Sequence, residues 1–125
     1  MRIKYISAVL VIMGLSTASH AEGNAEQGAK VFKQCVACHS VDDMKNKVGP
    51  SLKGLVGRKA ATVDGFKYSQ GMLAKGAGGV VWDEATLTTY LPDPKGFVPG
   101  TKMAFNGVKK PDDVANLIAF LKTKL

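Results

Sequence analysis

At 125 residues, with 46% hydrophobic side chains, the chain has room for one small domain. Its 17 Lys+Arg against 10 Asp+Glu give a net charge of +7, which favours acidic partners. Nucleic acid is excluded as the reason for that charge: there is no reading-helix motif, no finger spacing and no arginine cluster.

The first residues read as an address. Arg2 and Lys4 precede an apolar run from Ile6 to Leu15, and Ser19-His20-Ala21 offers a small-x-small cleavage site. A run of that length falls short of the roughly 20 residues of a membrane-spanning helix. The expectation is therefore a cleavable secretory signal over 1–21, export to the periplasm, and a mature domain over 22–125. No repeat, low-complexity tract or linker divides that domain. It is near the size at which a core needs help, and a large flat apolar ligand would supply the missing buried surface.

Asn24 suits the N-cap of a first helix from Ala25 to about Gln34, with Gln27 three residues on and Ala25, Gly28, Ala29 and Phe32 on one face. Residues 40–67 are rich in Gly, Lys and Asp, and Gly49-Pro50 is a firm turn, so a long loop that wraps around something is expected. A short helix after Ser69 should stop at Gly76. Asp83 can cap another, with Leu87, Tyr90 and Leu91 on one face and Pro92 and Pro94 ending it. The prolines and glycines from Pro92 to Gly107 predict a second wrapped loop without helix or sheet. In the last helix Pro111 fits the first position, Asp112, Asp113, Lys122 and Lys124 match the dipole, and Val114, Leu117, Ile118 and Leu121 form the buried stripe. The fold class is all-α, three to five helices and long loops, with Gly28 letting the first helix approach Leu117 and Phe120.

Cys35-Val36-Ala37-Cys38-His39 is the strongest chemical signal. Two thiols at this spacing can add to the two vinyl groups of one haem, and the next residue, a histidine, is then held beneath the iron. A thioredoxin-like dithiol would need alternating strands and helices, and a structural zinc site would need four ligands where the mature chain has two cysteines and one histidine. Because His20 leaves with the signal, the second axial position falls to methionine, to lysine or to nothing. Met44 is five residues from His39, a reach of about 17 Å fully extended, which leaves little slack to round the macrocycle. Met72 sits in a candidate helix. Met103, in Pro99-Gly100-Thr101-Lys102-Met103, sits where proline and glycine can aim a side chain inward.

Taken in order, the attachment motif, Gly49-Pro50-Ser51-Leu52, Gly57-Arg58, Phe66-Lys67-Tyr68-Ser69, Trp82, Tyr90-Leu91, Pro94-Lys95, Pro99 to Met103, Phe105 and Asn116 to Leu121 resemble a class I c-type cytochrome, of the group containing mitochondrial cytochrome c and bacterial cytochrome c2. The resemblance covers nearly all of 22–125. It implies one covalent haem c, His39 and Met103 as axial ligands, and the Pro50 carbonyl on the far nitrogen of His39. It also implies Arg58, Tyr68, Ser69, Trp82 and Thr101 at the propionates and Tyr90 near the sulfur of Met103. Met72 replaces an asparagine of the mitochondrial form, and Gly76 to Val81 lengthens the segment between Tyr68 and Trp82.

The function so implied is a soluble periplasmic one-electron carrier, not an enzyme, with no small-molecule substrate and a monomeric state. It would run between a quinol-oxidising bc1-type complex and an oxidase, a photosynthetic reaction centre or a peroxidase, with Lys33, Lys95, Lys102, Lys109 and Lys110 steering acidic surfaces of these membrane redox complexes. The rival readings are a haem sensor or enzyme with displaceable Met103, and an assembly subunit tethered by an uncleaved signal.

Overall fold

A computed structural model describes residues 23–125 together with Val11 and Gly14; apart from those two positions, the expected leader and its cleavage after Ala21 lie outside the described residues. Five helices follow in order: α1 (Ala25–Phe32), α2 (Gln70–Ala77), α3 (Glu84–Tyr90), α4 (Pro94–Phe97) and α5 (Pro111–Lys122). Among the described residues there is no strand, only an isolated antiparallel bridge between Lys59 and Val81.

Three caps form where short polar side chains precede an apolar stretch. Asn24 Oδ1 accepts from Gln27 N at 2.9 Å, Ser69 Oγ from Met72 N at 3.1 Å, and Asp83 Oδ1 from Thr86 N at 2.8 Å. The first helix ends at Phe32, two residues earlier than expected, and its backbone then tightens into turns through the cysteines. Helix α2 passes Gly76 and is capped at Gly78. The loop from Pro92 to Gly107 was expected to hold no helix, and α4 corrects that. Asp93 Oδ1 accepts from Gly96 N at 3.0 Å, Phe97 N donates to Asp93 O at 3.0 Å, and Pro94 needs no donor at the first helical position.

Helices α1 and α5 cross at close quarters. A methyl on Gly28 would overlap the Asn116 carbonyl and come within 2.7 Å of Phe120 Cβ, so the close neighbour is the α5 backbone at Asn116 rather than Leu117. Asn24 N donates to Asn116 Oδ1 at 2.8 Å, and the Phe32 and Phe120 rings lie 5.2 Å apart. Helix α5 buries Val114, Leu117, Ile118 and Leu121, as its stripe predicts, at about 1.5–3 kcal/mol for each side chain. The extension from Gly76 to Val81 is not loose: Ala60 N donates to Val80 O at 2.8 Å and Trp82 N to Arg58 O at 2.9 Å. The long loop thereby brings Arg58 beside Trp82, which follows the extension.

Candidate cofactor site

The helices and the two wrapped loops enclose a cavity of about 310 Å³, lined mostly by apolar side chains. Cys35, Cys38, His39, Pro50, Arg58, Tyr68, Ser69, Trp82, Tyr90, Thr101 and Met103 all line it. Residues from seven separate stretches of sequence thus meet at one place.

One wall is built by the turns that continue α1. Cys38 N and His39 N both donate to Cys35 O, at 3.1 and 2.9 Å, which folds the attachment motif back on itself. Before attachment, burial, then the nearby Cys38, pushes the Cys35 thiol up to about 11, so it is protonated until its sulfur is used. His39 Nδ1 lies 2.7 Å from Pro50 O. A carbonyl only accepts, so Nδ1 carries the hydrogen and Nε2 keeps the lone pair a metal needs. Burial lowers the His39 pKa, opposed by the Pro50 bond and assisted by Lys47 and Arg58, which favours the neutral ring. A methyl at Gly49 would overlap this ring.

The other wall carries the thioethers. Tyr90 Oη donates to Met103 Sδ at 3.7 Å, and Met103 N donates to Thr101 Oγ1 at 3.2 Å. Burial, with Cys35 nearby, pushes the Tyr90 phenol up to about 12, so it remains a donor. Met44 is 57% exposed and outside the cavity. Met72 lines it, but no side-chain bond aims its sulfur.

At the polar end Arg58 donates to Ser51 O at 2.9 Å and Lys53 O at 3.2 Å, both neutral carbonyls. Burial lowers its pKa, against a raising contribution from Tyr68. Tyr68 Oη accepts from Val63 N at 3.0 Å and Ser69 Oγ from Met72 N, so both hydroxyl hydrogens remain to be donated. Trp82, 6% exposed, packs on Tyr90 with ring centroids 4.7 Å apart. This donor set fits an iron porphyrin: a neutral imidazole and a thioether for the metal, two thiols for its edge, and a guanidinium without a carboxylate for acidic substituents.

Several lining residues escaped the sequence reading. Phe32, Leu87, Leu117 and Leu121 belong to helix stripes expected to form the core, and they serve both the core and the cavity. Gly49 carried a turn signal and no hint of the ring beside it. Of the five lysines expected to steer partners, all are exposed and only Lys102 lines the cavity. Lys95 Nζ reaches Asn106 Oδ1 at 3.2 Å, Lys102 Nζ reaches Lys67 O at 3.4 Å, and Lys109 Nζ reaches Pro92 O at 2.7 Å.

A helical wrap around a cavity that opens a thiol pair and a histidine to one flat ligand defines a class I c-type cytochrome. Comparison with known proteins agrees: the family model described as Cytochrome c matches residues 25–124, and the chain belongs to the cytochrome c family. It is 56% identical to cytochrome c2 iso-2 of Magnetospirillum fulvum over 74% of this chain and 93% of that one. Cytochrome c2 of Rhodomicrobium vannielii is 46% identical over 98% of this chain and 94% of that protein. Among solved structures, cytochrome cH from Methylobacterium extorquens superposes with a TM-score of 0.74 at 48% identity, covering 82% of this chain and 100% of that one. The chain holds one covalent haem c through Cys35 and Cys38 and is a cytochrome c2-like electron carrier. No helix among the described residues is long and apolar enough to cross a membrane.

Proposed function

We propose that the protein is a monomeric periplasmic shuttle, exported by the 1–21 leader, that takes single electrons from a quinol-oxidising cytochrome complex and delivers them to a terminal acceptor. The carrying observation is the pairing of His39 with Met103 on one cavity, each fixed by its own partner, Pro50 O at 2.7 Å and Tyr90 Oη at 3.7 Å. The bound group supplies a one-electron iron couple, whose potential methionine–histidine ligation and burial move upward relative to histidine-only sites.

The polypeptide's work is to saturate, orient and insulate. His39 Nε2 and Met103 Sδ would both hold the iron and leave it no open site for a substrate, which argues for a carrier over an enzyme. Pro50 holds the imidazole tautomer, and Tyr90 holds the sulfur. Arg58, Tyr68, Ser69, Trp82 and Thr101, which line the same cavity, would receive the propionates. Lys33, Lys95, Lys102, Lys109 and Lys110 steer acidic faces of bc1-type, oxidase, reaction-centre or peroxidase partners, in weak and salt-sensitive encounters.

The test is the spectrum of the oxidised, haem-loaded protein. A sulfur-to-iron charge-transfer band at neutral pH supports the reading. Met103→Ala should keep the attached group, since the thioethers are untouched, but lose the band and bind carbon monoxide when reduced. An unchanged spectrum in that variant would transfer the role to Met72 or another ligand. Glu22 as the mature first residue is the expected result of N-terminal sequencing, and an intact Met1 would favour a tethered subunit.

A further inference from the structure

We propose that Gly71, in the first turn of α2, is a positioning residue for Met103: with no side chain there, the α2 backbone seats directly on the Pro99 carbonyl and clamps the Pro99–Met103 loop closed. The proposal rests on Met103 being the second axial ligand. A methyl built on Gly71 overlaps the Pro99 carbonyl oxygen and lies 3.2 Å from Val98 Cγ1 and 3.3 Å from Pro99 C. Gly71 has an ordinary right-handed backbone, so no left-handed turn calls for glycine. The contact with Pro99 is what remains to account for it. Because the obstacle is backbone, no rotamer change relieves it.

The strain would pass to Met103 rather than into α2. At its far end α2 is held by a second backbone approach, where a methyl on Gly76 would lie 2.6 Å from Ala60 O. Val98, fully buried, is fixed to α4 by Val98 N to Pro94 O at 2.9 Å. Beyond Thr101 the loop depends on side-chain bonds: Lys102 Nζ to Lys67 O at 3.4 Å, Met103 N to Thr101 Oγ1 at 3.2 Å, and the Tyr90 bond to sulfur. These are the weakest members of the clamp and yield first.

The test compares oxidised, haem-loaded Gly71→Ala with wild type and with Gly78→Ala, the latter at a helical cap whose nearest atoms are 3.4 Å from the new methyl. Stopped-flow binding of imidazole reads how readily the sulfur leaves the iron, and the sulfur charge-transfer band reads its occupancy. Gly71→Ala should bind imidazole about tenfold faster with a weakened band, while Gly78→Ala matches wild type, although helix propensity alone would make both changes benign. A Gly71→Ala rate equal to wild type overturns the proposal. If Met103→Ala itself leaves band and rate unchanged, the ligand assignment has failed instead. Should Gly71→Ala not yield loaded protein, Lys102→Met removes the neighbouring tether, and a rate unmoved in that variant overturns the clamp.

Discussion

The two walls of the cavity are made by different means. The histidine wall is local: five consecutive residues carry both thiols and the imidazole, and backbone bonds bracket the ring, with Gly49 N on Cys38 O and Leu52 N on Ser40 O, both at 2.8 Å. The methionine wall is assembled from a distance. Its sulfur, on a loop between α4 and α5, is aimed by a tyrosine from α3 and by a neighbouring threonine. A wall fixed by backbone should respond to altered packing and ignore the loss of single side-chain bonds, while a wall held by side chains should respond to each of them.

The strongest way to break the first half of that contrast is Gly49→Val. The new side chain would enter the space of the His39 ring, which cannot swing away while Nδ1 is bound to Pro50 O and the preceding residue, Cys38, is tied through its sulfur. Overpacking with loss of a buried hydrogen bond should cost about 3 kcal/mol, roughly a 12–24 °C fall in melting temperature for a domain of this size. A melting temperature within a few degrees of wild type would mean that the ring is free to move and that the histidine wall is looser than its backbone bonds imply.

The same contrast governs what could be read from sequence. The attachment motif is contiguous, so its spacing alone carried the cofactor and one axial ligand, and the caps at Asn24, Ser69 and Asp83 and the stripe of α5 are equally local signals. The methionine was not local. Residue types left Met72 open as a rival; the proline and glycine before Met103 favoured Met103, and the ordered resemblance implied it. Helix α4 was missed because Pro94 and Gly96 read as breakers, whereas a proline at the first helical position costs nothing when Asp93 caps it. Gly49 and Gly71 were illegible for a shared reason: a glycine selected for close approach looks, in sequence, like one selected for a turn.

On the methionine wall a smaller change should already be felt. Tyr90→Phe keeps the aromatic packing on Trp82 and Phe97 and removes only the hydroxyl that donates to Met103 Sδ. The expected loss is about 0.5–1 kcal/mol, or a few degrees of melting temperature, with the sulfur charge-transfer band retained and imidazole binding modestly faster. An unaltered binding rate would show that the loop, not the tyrosine, holds the sulfur, and would shift weight to the clamp at Gly71.

The smallest effect is expected from the comparable deletion on the histidine wall, Lys47→Met. Lys47 Nζ donates to Val36 O at 2.8 Å and so ties the Gly49 turn to the attachment motif, much as Tyr90 ties the methionine. Yet the same two segments are already joined by Gly49 N on Cys38 O, and the exposed lysine loses little water-mediated alternative when it is replaced. Methionine keeps a stem of similar length, so the change in stability should stay within about 0.5 kcal/mol and the axial spectrum should not move. A loss as large as that of Tyr90→Phe would make the two walls equivalent after all, each dependent on single side-chain bonds, and the distinction between a local and an assembled wall would have no energetic content.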